Sequence, residues 1–504
     1  MMAKSLSKAS ASSADANEWK SIDWDSVIAS VRRLQIRIAK AYRERRYGKA
    51  KALQRLLTTS YHAKLLAVKR VVQNKGSKTP GVDGVIWSTQ QQKMEAALLL
   101  KRRDYKTQPL RRIYISKRDG KQRPLSISPM RCRAQQNLHL LALDPIAETM
   151  ADKNSYGFRP LRSTADAIEQ CFKALHRQTS AQFILEGDIA ACFDSLDKTW
   201  LCNNIPMDKV MLKKWLDAGY FEKGKIYPTE RGLAQGGSIS PTILVVALSG
   251  LEAAVKAATE RKDKVNVCVY ADDFIITGAT QEILEQKVKP TIASFLGERG
   301  LTLSERKTKI THINEGFDFL GMNIRKYNGK CIIKPAKGNV KRLLADIRQE
   351  IKKHRATKTE YLILRLNPKI RGWSNYYRHV CSKQTFGYVD YQIFQSLWRW
   401  AKRRHPNKRK RWIKDKYFKQ IGDRSWVFSD TVMNKSGNRK IITLREASKT
   451  PIKRHVKIRK ESTPYDPAHH SYLGERIQKS LEERHNPTKP KWWSLWKMLL
   501  DIED

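Results

Sequence analysis

The sequence predicts a multidomain α+β fold. A chain of 504 residues is too long for one ordinary hydrophobic core, so roughly two to four domains are expected. In the middle of the chain, strand patterns alternate with helical patterns and some strands pair as hairpins, which is typical of an α+β core. After the Asn328-Gly329 dipeptide, a strong hairpin signal, the pattern becomes predominantly helical and more basic.

The charge is the strongest compositional signal. Lysines and arginines number 98 against 49 aspartates and glutamates, which gives a formal net charge of +49. Such self-repulsion favours a polyanionic partner, and nucleic acid is the default. Membrane-surface binding is the competing interpretation, but the basic residues are spread over the whole chain, and we find no apolar run that approaches the roughly 18 residues of a spanning helix. An apolar content of 40% excludes a basic disordered tail.

The cysteines are widely spaced, so the sequence shows neither a zinc knuckle nor a disulfide framework, and it indicates a reducing compartment. The cysteines are Cys132, Cys171, Cys192, Cys202, Cys268, Cys331 and Cys381. Residues 1–18 are Ser/Ala-rich and lack both an apolar signal core and arginines, so we predict a short disordered start and not a targeting peptide.

Helical and strand patterns follow one another along the first third of the chain. Apolar residues recur at helical spacing over 25–57, with a basic opposite face, and a Pro-Gly loop follows at 79–84. A strand is predicted at 112–116 and helices at 131–150 and 163–178. This region therefore predicts a helical start that leads into a mixed core.

Two acidic segments stand at the ends of predicted strands. The apolar run 183–185 leads into 186–194, which is typical of a strand that ends in a carboxylate. A helix follows Ser238-Ile239-Ser240-Pro241, and alternating valines then precede Tyr270-Ala271-Asp272-Asp273. Because apolar residues resume at Phe274, we predict a strand-turn-strand unit with Asp272 and Asp273 at its tip.

Adjacent carboxylates repel each other unless a cation neutralises them, and Mg²⁺ prefers oxygen ligands that it often shares with substrate phosphates. A solvated turn is the alternative, since Asp is common in turns. A polymerising site needs two metal ions, and hence carboxylates from two segments. Asp188 supplies the second segment, since neighbouring strands can bring distant residues together. Taken alone, Asp188 and Asp194 could equally be helix caps.

The ordered motifs resemble those of the reverse transcriptases encoded within group II introns, also called maturases, from about residue 20 to about 440. The N-terminal extension matches at Thr79-Pro80-Gly81-Val82-Asp83-Gly84, and the fingers match at Lys117 with Arg123-Pro124-Leu125 and at Tyr156-Gly157-Phe158-Arg159-Pro160. The palm matches at Asp188 to Asp194, Gln235 to Pro241, Tyr270 to Asp273 and Leu303 to Ile310. The primer grip matches at Phe319-Leu320-Gly321, and the thumb at Arg371-Gly372-Trp373-Ser374-Asn375-Tyr376-Tyr377. The resemblance implies a right-hand polymerase with fingers, a palm built on an antiparallel sheet, and an α-helical thumb.

The resemblance also implies a catalytic site with two Mg²⁺ ions and dNTP substrates. Its metal ligands would be Asp188, Asp272, Asp273 and the backbone of Ile189. Its nucleotide-binding residues would be Lys117, Arg123, Ala190, Ala191, Phe193, Gln235, Gly236 and Lys307.

Individual roles follow from the same resemblance. Lys117 and Arg123 would hold the triphosphate, helped by the backbone amides around Ala190 and Ala191. Phe193 would pack under the sugar and favour deoxynucleotides; a core phenylalanine is the alternative. Gln235 and Gly236 would line the pocket, with the glycine allowing close backbone approach. Lys307 would donate a proton to pyrophosphate, although a lone lysine in a charged stretch is usually just solvated.

Basic and aromatic residues interleave most densely over 336–445, which predicts intron RNA binding by phosphate neutralisation and base stacking. A solvated helix face with tryptophans as core anchors is the alternative, and we expect both features together. The candidate RNA-binding residues are Arg371, Arg378, Arg399, Lys402, Arg403, Arg404, Lys408, Arg409, Lys410 and Arg411. Trp373, Tyr376 and Tyr377 share one helical face, which favours packing over base contact.

The predicted domains are a disordered start (1–20), the N-terminal extension and start of the fingers (21–110), fingers and palm (111–330), thumb (331–445) and a short basic DNA-binding segment (446–504). The last segment has no cysteine and no metal-ligand pattern around His469, His470 and His485. We therefore expect no endonuclease, so that priming would use another 3′ end.

The resemblance implies an RNA-directed DNA polymerase that also assists splicing and insertion of its intron. Its partners would be intron RNA, target DNA and an RNA-template/DNA-primer duplex, without a membrane; a homodimer is possible. A bacterial cytoplasmic location, on the nucleoid when DNA-bound, is expected, and an organellar one stays open. Alternatives are a splicing-only maturase with a lapsed polymerase, or a reverse transcriptase recruited to defence or diversification.

Overall fold

The computed structural model describes residues 14–116, 120, 122–433 and 437–482. Its N-terminal part is a layer of helices. They are α1 (Ala14–Ser21), α2 (Trp24–Arg43), α3 (Tyr47–Thr59), α4 (Tyr61–Gln73), a 3₁₀ turn (Lys75–Lys78) and α5 (Gln90–Leu98). Helix α2 begins where the Asp23 carboxylate accepts hydrogen bonds from the amides of Asp25 and Ser26, which satisfies two otherwise unpaired donors.

The middle of the chain holds two four-stranded sheets among helices. Its elements are β1 (Leu110–Ser116), β2 (Gln122–Ile127), α6 (Met130–Met150), α7 (Thr164–Leu175), β3 (Phe183–Asp188), α8 (Cys192–Ser195), α9 (Lys198–Asn204), α10 (Lys209–Leu216), β4 (Tyr220–Glu222), β5 (Lys225–Tyr227), α11 (Ser240–Leu248), α12 (Leu251–Ala257), a 3₁₀ turn (Arg261–Asp263), β6 (Asn266–Tyr270), β7 (Asp273–Gly278), a π-helix (Ile283–Val288), α13 (Lys289–Gly297) and β8 (Lys309–His312).

The strand order separates the two sheets. The first sheet runs β2-β1-β4-β5, and the second runs β6-β7-β3-β8. Strand β3 pairs antiparallel with both β7 and β8, so its carboxyl end lies beside the β6-β7 hairpin. The second sheet, called the palm sheet below, therefore brings together the two acidic segments that the sequence keeps apart.

The C-terminal part combines helices with two small sheets. Its elements are β9 (Phe317–Phe319), β10 (Met322–Tyr327), β11 (Lys330–Pro335), α14 (Lys337–Lys353), α15 (Thr359–Tyr377), α16 (Lys383–Arg404), α17 (Lys410–Tyr417), β12 (Phe418–Ile421), β13 (Arg424–Met433), β14 (Arg439–Thr443), two 3₁₀ turns (Ala447–Lys449 and Pro467–His469) and α18 (His470–Glu482).

The predicted α+β architecture with a mainly helical C-terminal part is confirmed, with one difference. Residues 418–443 form an antiparallel sheet in the order β12-β13-β14, where the sequence suggested mostly helix. Phe428 on β13 joins a cluster of aromatic rings that includes Trp400 of α16. Three consecutive buried residues of β13, 427–429, interrupt the alternation of buried and exposed positions that would have predicted a strand.

The segment of residues 447–482, called the C-terminal strap below, packs back across the molecule. The buried Asp166 carboxylate on α7 accepts hydrogen bonds from the His455 ring at 2.9 Å, Arg476 at 2.8 Å and the Ile458 amide at 2.8 Å. Ile458 lies in the same hydrophobic core as the helices that follow β11. This part of the predicted DNA-binding segment is therefore held by intramolecular contacts.

One apolar stretch, Ser240–Ala257, is long and apolar enough to cross a membrane by length and composition alone. This corrects the expectation that no run reaches that length. The stretch is two helices, α11 and α12, which break at Gly250, where φ is 94°. Its apolar side chains, such as Ile243 and Leu251, are buried in the core under the palm sheet, which explains its hydrophobicity.

Candidate active site

A tight hairpin presents the paired aspartates at one end of the strands of the palm sheet. Tyr270 pairs directly with Asp273, so Ala271 and Asp272 form a two-residue turn. Ala271 has φ of 58°, in the left-handed region that such turns require. Val269 and Phe274, on either side, are buried in the core. The hairpin tip is thus anchored on both strands.

Asp188 lies directly opposite Asp273 in the β3-β7 ladder. Side chains at such paired positions have Cβ atoms roughly 4.5–5.5 Å apart, within the reach of a shared cation. The backbone just after Asp188 is fixed by a bridge between Ile189 and Leu303, and the Asp188 carbonyl accepts a 2.8 Å hydrogen bond from the Ser304 amide. The structure therefore brings together the three carboxylates and the Ile189 backbone.

The electrostatics of the cluster favour a cation. Partial burial, followed by the charges of Asp272 and Asp188, raises the pKa of Asp273 to about 7. Asp273 remains exposed at the sheet edge, so its desolvation is incomplete, and repulsion is the part that a cation would relieve. Lys307 Nζ lies 2.9 Å from both Asp188 carboxylate oxygens. It neutralises one of the three acids.

The donor set fits Mg²⁺, which uses oxygen ligands and takes several of them from water and substrate phosphates. Within the described residues, no group of three or more His, Cys, Asp or Glu side chains is already arranged as a metal cage. The ammonium of Lys307 stands where a metal bound to Asp188 would compete with it. The site thus offers carboxylates to a metal that arrives with its own phosphate and water ligands.

The repulsion predicts a pH dependence of stability in metal-free buffer. A folded-state pKa of about 7, above the ordinary 3.8, means that protonated Asp273 stabilises the fold fully below about pH 4 and loses this contribution as the pH rises through 7. Asp273→Asn should remove this component. Urea unfolding in EDTA should therefore show that the free energy of unfolding falls less between pH 5 and pH 8 in the variant than in the wild type. Equal losses would contradict the assignment.

The Tyr156-Gly157-Phe158 segment supports the hairpin from the side. The Tyr156 amide donates a 2.9 Å hydrogen bond to the Val269 carbonyl, which fixes the segment beside β6. A Cβ atom on Gly157 would lie 2.2 Å from the Ala271 amide nitrogen, closer than any side chain tolerates. Glycine at this position lets the segment touch the turn that carries Asp272.

Gly157→Ala is therefore expected to displace the hairpin and lower primer extension by at least about tenfold, since misplacement by about 1 Å costs up to a hundredfold. The matched control is Gly372→Ala in α15, where an added Cβ meets nothing within 4 Å. Alanine should even favour that helix by up to about 1 kcal/mol. Rates of single-nucleotide addition measure the difference, and equal rates would show that the contact is dispensable.

Several predicted nucleotide-binding residues form one hydrogen-bonded chain. Arg123 Nε donates to Gln235 Oε1 at 3.0 Å, and Gln235 Nε2 donates to Asp194 Oδ2 at 3.1 Å. Gly236 has φ of 111°, and a Cβ there would lie 2.5 Å from the Ser126 carbonyl oxygen. The chain holds the predicted pocket residues of β2 and of the loop before α11 together. Lys117 lies outside the described residues.

The remaining predicted pocket residues have different surroundings. Phe193 is half-buried, and its ring meets the exposed ring of Phe158 edge to face at 6.3 Å. The Ala190 amide donates to the Thr302 carbonyl at 2.9 Å, so it is not available to a triphosphate, which corrects that expectation. Ala191 adopts a left-handed conformation with φ of 43° at the start of α8. Lys307 contacts Asp188, as described above.

The thumb tyrosines hold the segment that resembles a primer grip. The hydroxyl of Tyr376 donates to the Leu320 carbonyl at 2.8 Å, and that of Tyr377 donates to the Gly321 carbonyl at 3.0 Å. Trp373 packs against Tyr377 with ring centroids 4.9 Å apart. The structure thus shows packing for all three aromatic residues, as the helical pattern predicted, and two of them fix the turn between β9 and β10.

Most of the basic candidates in the thumb are exposed. The exposed ones are Arg371, Arg399, Lys402, Arg403, Lys408, Arg409, Lys410 and Arg411, whereas Arg378 and Arg404 are half-buried. Arg404 donates to the carbonyls of Arg355 and Thr357, at 2.9 and 2.8 Å, and stacks on Trp400. Its guanidinium therefore fixes the loop between α14 and α15, which gives it a structural role that the sequence did not predict.

A groove of about 640 Å³ between α14 and α16 collects basic residues from both helices. Arg399 and Arg403 of α16 face it, as do Arg348, Lys352 and Arg355 of the α14 side. The sequence analysis missed the last three. Arg348 and Lys352 are four residues apart on one face of α14, a pattern that could have identified them, and Arg355 follows in the loop after the helix.

Comparisons with known proteins agree with this arrangement. The family model described as reverse transcriptase (RNA-dependent DNA polymerase) matches residues 115–324, and that of the N-terminal domain of reverse transcriptase matches 19–100. The model for the group II intron, maturase-specific domain matches 340–418. Together the three matches follow the order of the motifs along the chain.

Similar proteins include Protein YkfC of Escherichia coli, which is 31% identical over 53% of this chain and 82% of that protein. Group II intron-encoded protein LtrA of Lactococcus lactis subsp. cremoris is 27% identical over 65% of this chain and 70% of that protein. Among solved structures, the match to the telomerase from Candida albicans covers 62% of this chain and 63% of the telomerase chain, with 13% identity and a TM-score of 0.35. The chain belongs to the family of reverse transcriptases and maturases encoded by group II introns.

Proposed function

We propose that this chain is an active RNA-directed DNA polymerase that also binds intron RNA to assist splicing. The observation that carries the first half is the pairing of Asp188 with Asp273 beside Asp272 at a rigid hairpin tip. Bound Mg²⁺ would supply activation of the primer 3′-hydroxyl and stabilisation of the leaving pyrophosphate. The three carboxylates would hold the ions, and their repulsion keeps the site ready for a cation.

The surrounding residues support the same proposal. Arg123 and Gln235, which are hydrogen-bonded to each other, would contact the incoming nucleotide. Phe193 precedes the Asp194 that accepts a hydrogen bond from Gln235, and its ring would form a floor for the sugar. Tyr376 and Tyr377 tie the thumb to the turn at Leu320, which would hold the primer end. A deoxynucleotide and a primer end would thus each have a contact surface around one cluster of acids.

Primer extension on an RNA template tests the polymerase. The wild type should add dNTPs in Mg²⁺, and Asp272→Ala combined with Asp273→Ala should abolish addition. Asp415→Asn, at an exposed position of α17, is the control that changes surface charge alone. A wild type that adds no dNTP, or a double variant that still extends the primer, would defeat the enzymatic proposal and favour a splicing-only protein.

The RNA-binding half rests on the exposed basic side chains of the thumb and on the basic groove between α14 and α16. Phosphate contacts release counterions, so the affinity for intron RNA should fall steeply with salt concentration. Splicing of the intron at low Mg²⁺, with and without protein, measures the assistance. Absence of stimulation would remove the splicing role while leaving the polymerase untouched.

A further inference from the structure

A cavity of about 340 Å³ lies between the N-terminal helices, the fingers segment and the C-terminal strap. Three of its walls carry Arg70 of α4, Asp144 of α6 and Tyr465 of the strap. Phe158, whose ring meets that of Phe193, and Ser238 also line it. Ligand pockets in proteins begin at roughly 300 Å³, so the cavity has room for one nucleotide and not for a duplex.

The lining combines the groups that recognise an unpaired nucleotide. Arg70 offers a cation for a phosphate, and the exposed ring of Phe158 offers a face for stacking a base, while the buried Tyr465 closes the wall that the strap provides. The Asp144 carboxyl accepts a 3.0 Å hydrogen bond from the Thr242 hydroxyl, and burial raises its pKa to about 6. A buried carboxyl of this kind can accept a hydrogen bond from an amino or imino group on the edge of a base.

The position of the cavity indicates which strand would reach it. Phe158 meets Phe193 of the predicted nucleotide pocket, and Ser238 follows Gln235 by three residues. The thumb helices and the β9-β10 turn at Leu320, where the primer would be held, do not line it in the described part of the chain. The cavity therefore lies beside the predicted nucleotide pocket, and its described walls do not include the turn that resembles a primer grip.

Resting on the proposed polymerase function, we propose that this cavity holds the next unpaired nucleotide of the template strand, one position ahead of the nucleotide being copied. The C-terminal strap supplies one wall through Pro464 and Tyr465. The strap is thereby part of the template path, and its attachment to α7 through Asp166 keeps that wall in place.

Extension on two RNA templates tests the proposal. One template ends at the nucleotide being copied, and the other continues for several nucleotides. The wild type should use the longer template about five- to tenfold more efficiently in kcat/KM for the first dNTP, as expected for one stacked and phosphate-bound nucleotide. Arg70→Ala should bring this ratio towards one. Arg33→Ala, which removes an exposed arginine of α2 outside the cavity, should leave the ratio as in the wild type.

A ratio near one in the wild type, or a ratio unchanged by Arg70→Ala, would overturn the proposal. If Arg70→Ala slowed extension equally on both templates, Arg70 would have a structural role only, which would also contradict the proposal. Photocrosslinking separates this failure from that of the polymerase, because it needs no catalysis. A 4-thiouridine at the next template position should crosslink to the strap near Tyr465. Crosslinks only to other parts of the protein would refute the assignment even if the enzyme is active.

Discussion

Asp188→Asn is expected to lower DNA synthesis roughly a thousandfold, equivalent to about 4 kcal/mol of transition-state stabilisation. Asp188 lies opposite Asp273 in the ladder and is the carboxylate that the second segment contributes to the cluster. An amide cannot neutralise a divalent ion, and Asp272 and Asp273 alone provide ligands on one side only. Single-turnover incorporation of one dNTP on an RNA template measures the loss.

The same substitution should leave the fold intact. Asparagine keeps the shape of the side chain and the hydrogen bond from the Ser304 amide to the backbone of residue 188. It removes the ion pair with Lys307, whose side chain is 54% exposed, and such a pair contributes at most about 1 kcal/mol. It also relieves repulsion on Asp273. The free energy of unfolding in EDTA should therefore change by less than about 1 kcal/mol.

Asp217→Asn is the matched control, because Asp217 also pairs with a lysine, Lys198, at 2.9 Å on the surface. It should lose neither activity nor stability by more than a small factor. Added Mg²⁺ should raise the urea midpoint of the wild type and of the control, since binding to the folded state stabilises it, but not that of Asp188→Asn. Synthesis retained within tenfold of wild type in Asp188→Asn would rule out its role as a ligand.

The local parts of this site could be predicted from the sequence. Alternating valines, a break at two acids and resumed apolar residues predicted the hairpin at Tyr270–Asp273 because each signal lies within a few residues. The sequence also allowed the inference that these two acidic segments lie on neighbouring strands, which are β3 and β7 in the structure. The direct pairing of Asp188 with Asp273 depends on the register of the sheet, which the side-chain pattern constrains only to one face.

The contacts between distant segments could not be predicted. The approach of Gly157 to Ala271 is set by how the segment beside β6 packs, and a glycine followed by an aromatic residue does not reveal it. The C-terminal strap has little helical or strand periodicity before α18, so its charged residues suggested a surface segment. The ion pairs of His455 and Arg476 with Asp166 appear only when the strap and α7 are seen together.

A buried ion cluster between α6 and the segment beside the hairpin leads to the second large prediction. Arg159 donates to both Glu148 carboxylate oxygens, at 2.7 and 3.1 Å, and Arg162 donates to one at 2.9 Å. The three side chains are at most 3% exposed. Burial would raise the pKa of Glu148, but the two arginines outweigh it and hold the pKa below its ordinary value. The carboxylate is therefore charged, and both of its oxygens accept hydrogen bonds from arginine side chains.

Glu148→Gln should destabilise the fold by about 3–5 kcal/mol, because it leaves two buried guanidinium groups without a counter-charge. Activity should fall as well. Arg159 also donates to the Ser155 carbonyl at 2.8 Å, and Ser155 lies two residues before Gly157, which supports the hairpin. Arg162 donates to the Ser462 carbonyl at 3.0 Å, so the loss should also loosen the strap. Urea unfolding measures the first effect and primer extension the second.

Two further variants separate charge from packing. Glu169→Gln on α7 breaks a long contact with the exposed Arg454, at 3.9 Å, and should cost less than about 1 kcal/mol. Replacing the whole cluster, with Glu148→Leu, Arg159→Met and Arg162→Met together, removes the unpaired charges and should recover much of the stability. It should not recover DNA synthesis, because the hydrogen bonds from the arginines to the hairpin support and to the strap are gone. If Glu148→Gln is as mild as Glu169→Gln, the cluster does not hold the segment; if the triple variant regains full synthesis, packing alone positions the aspartates.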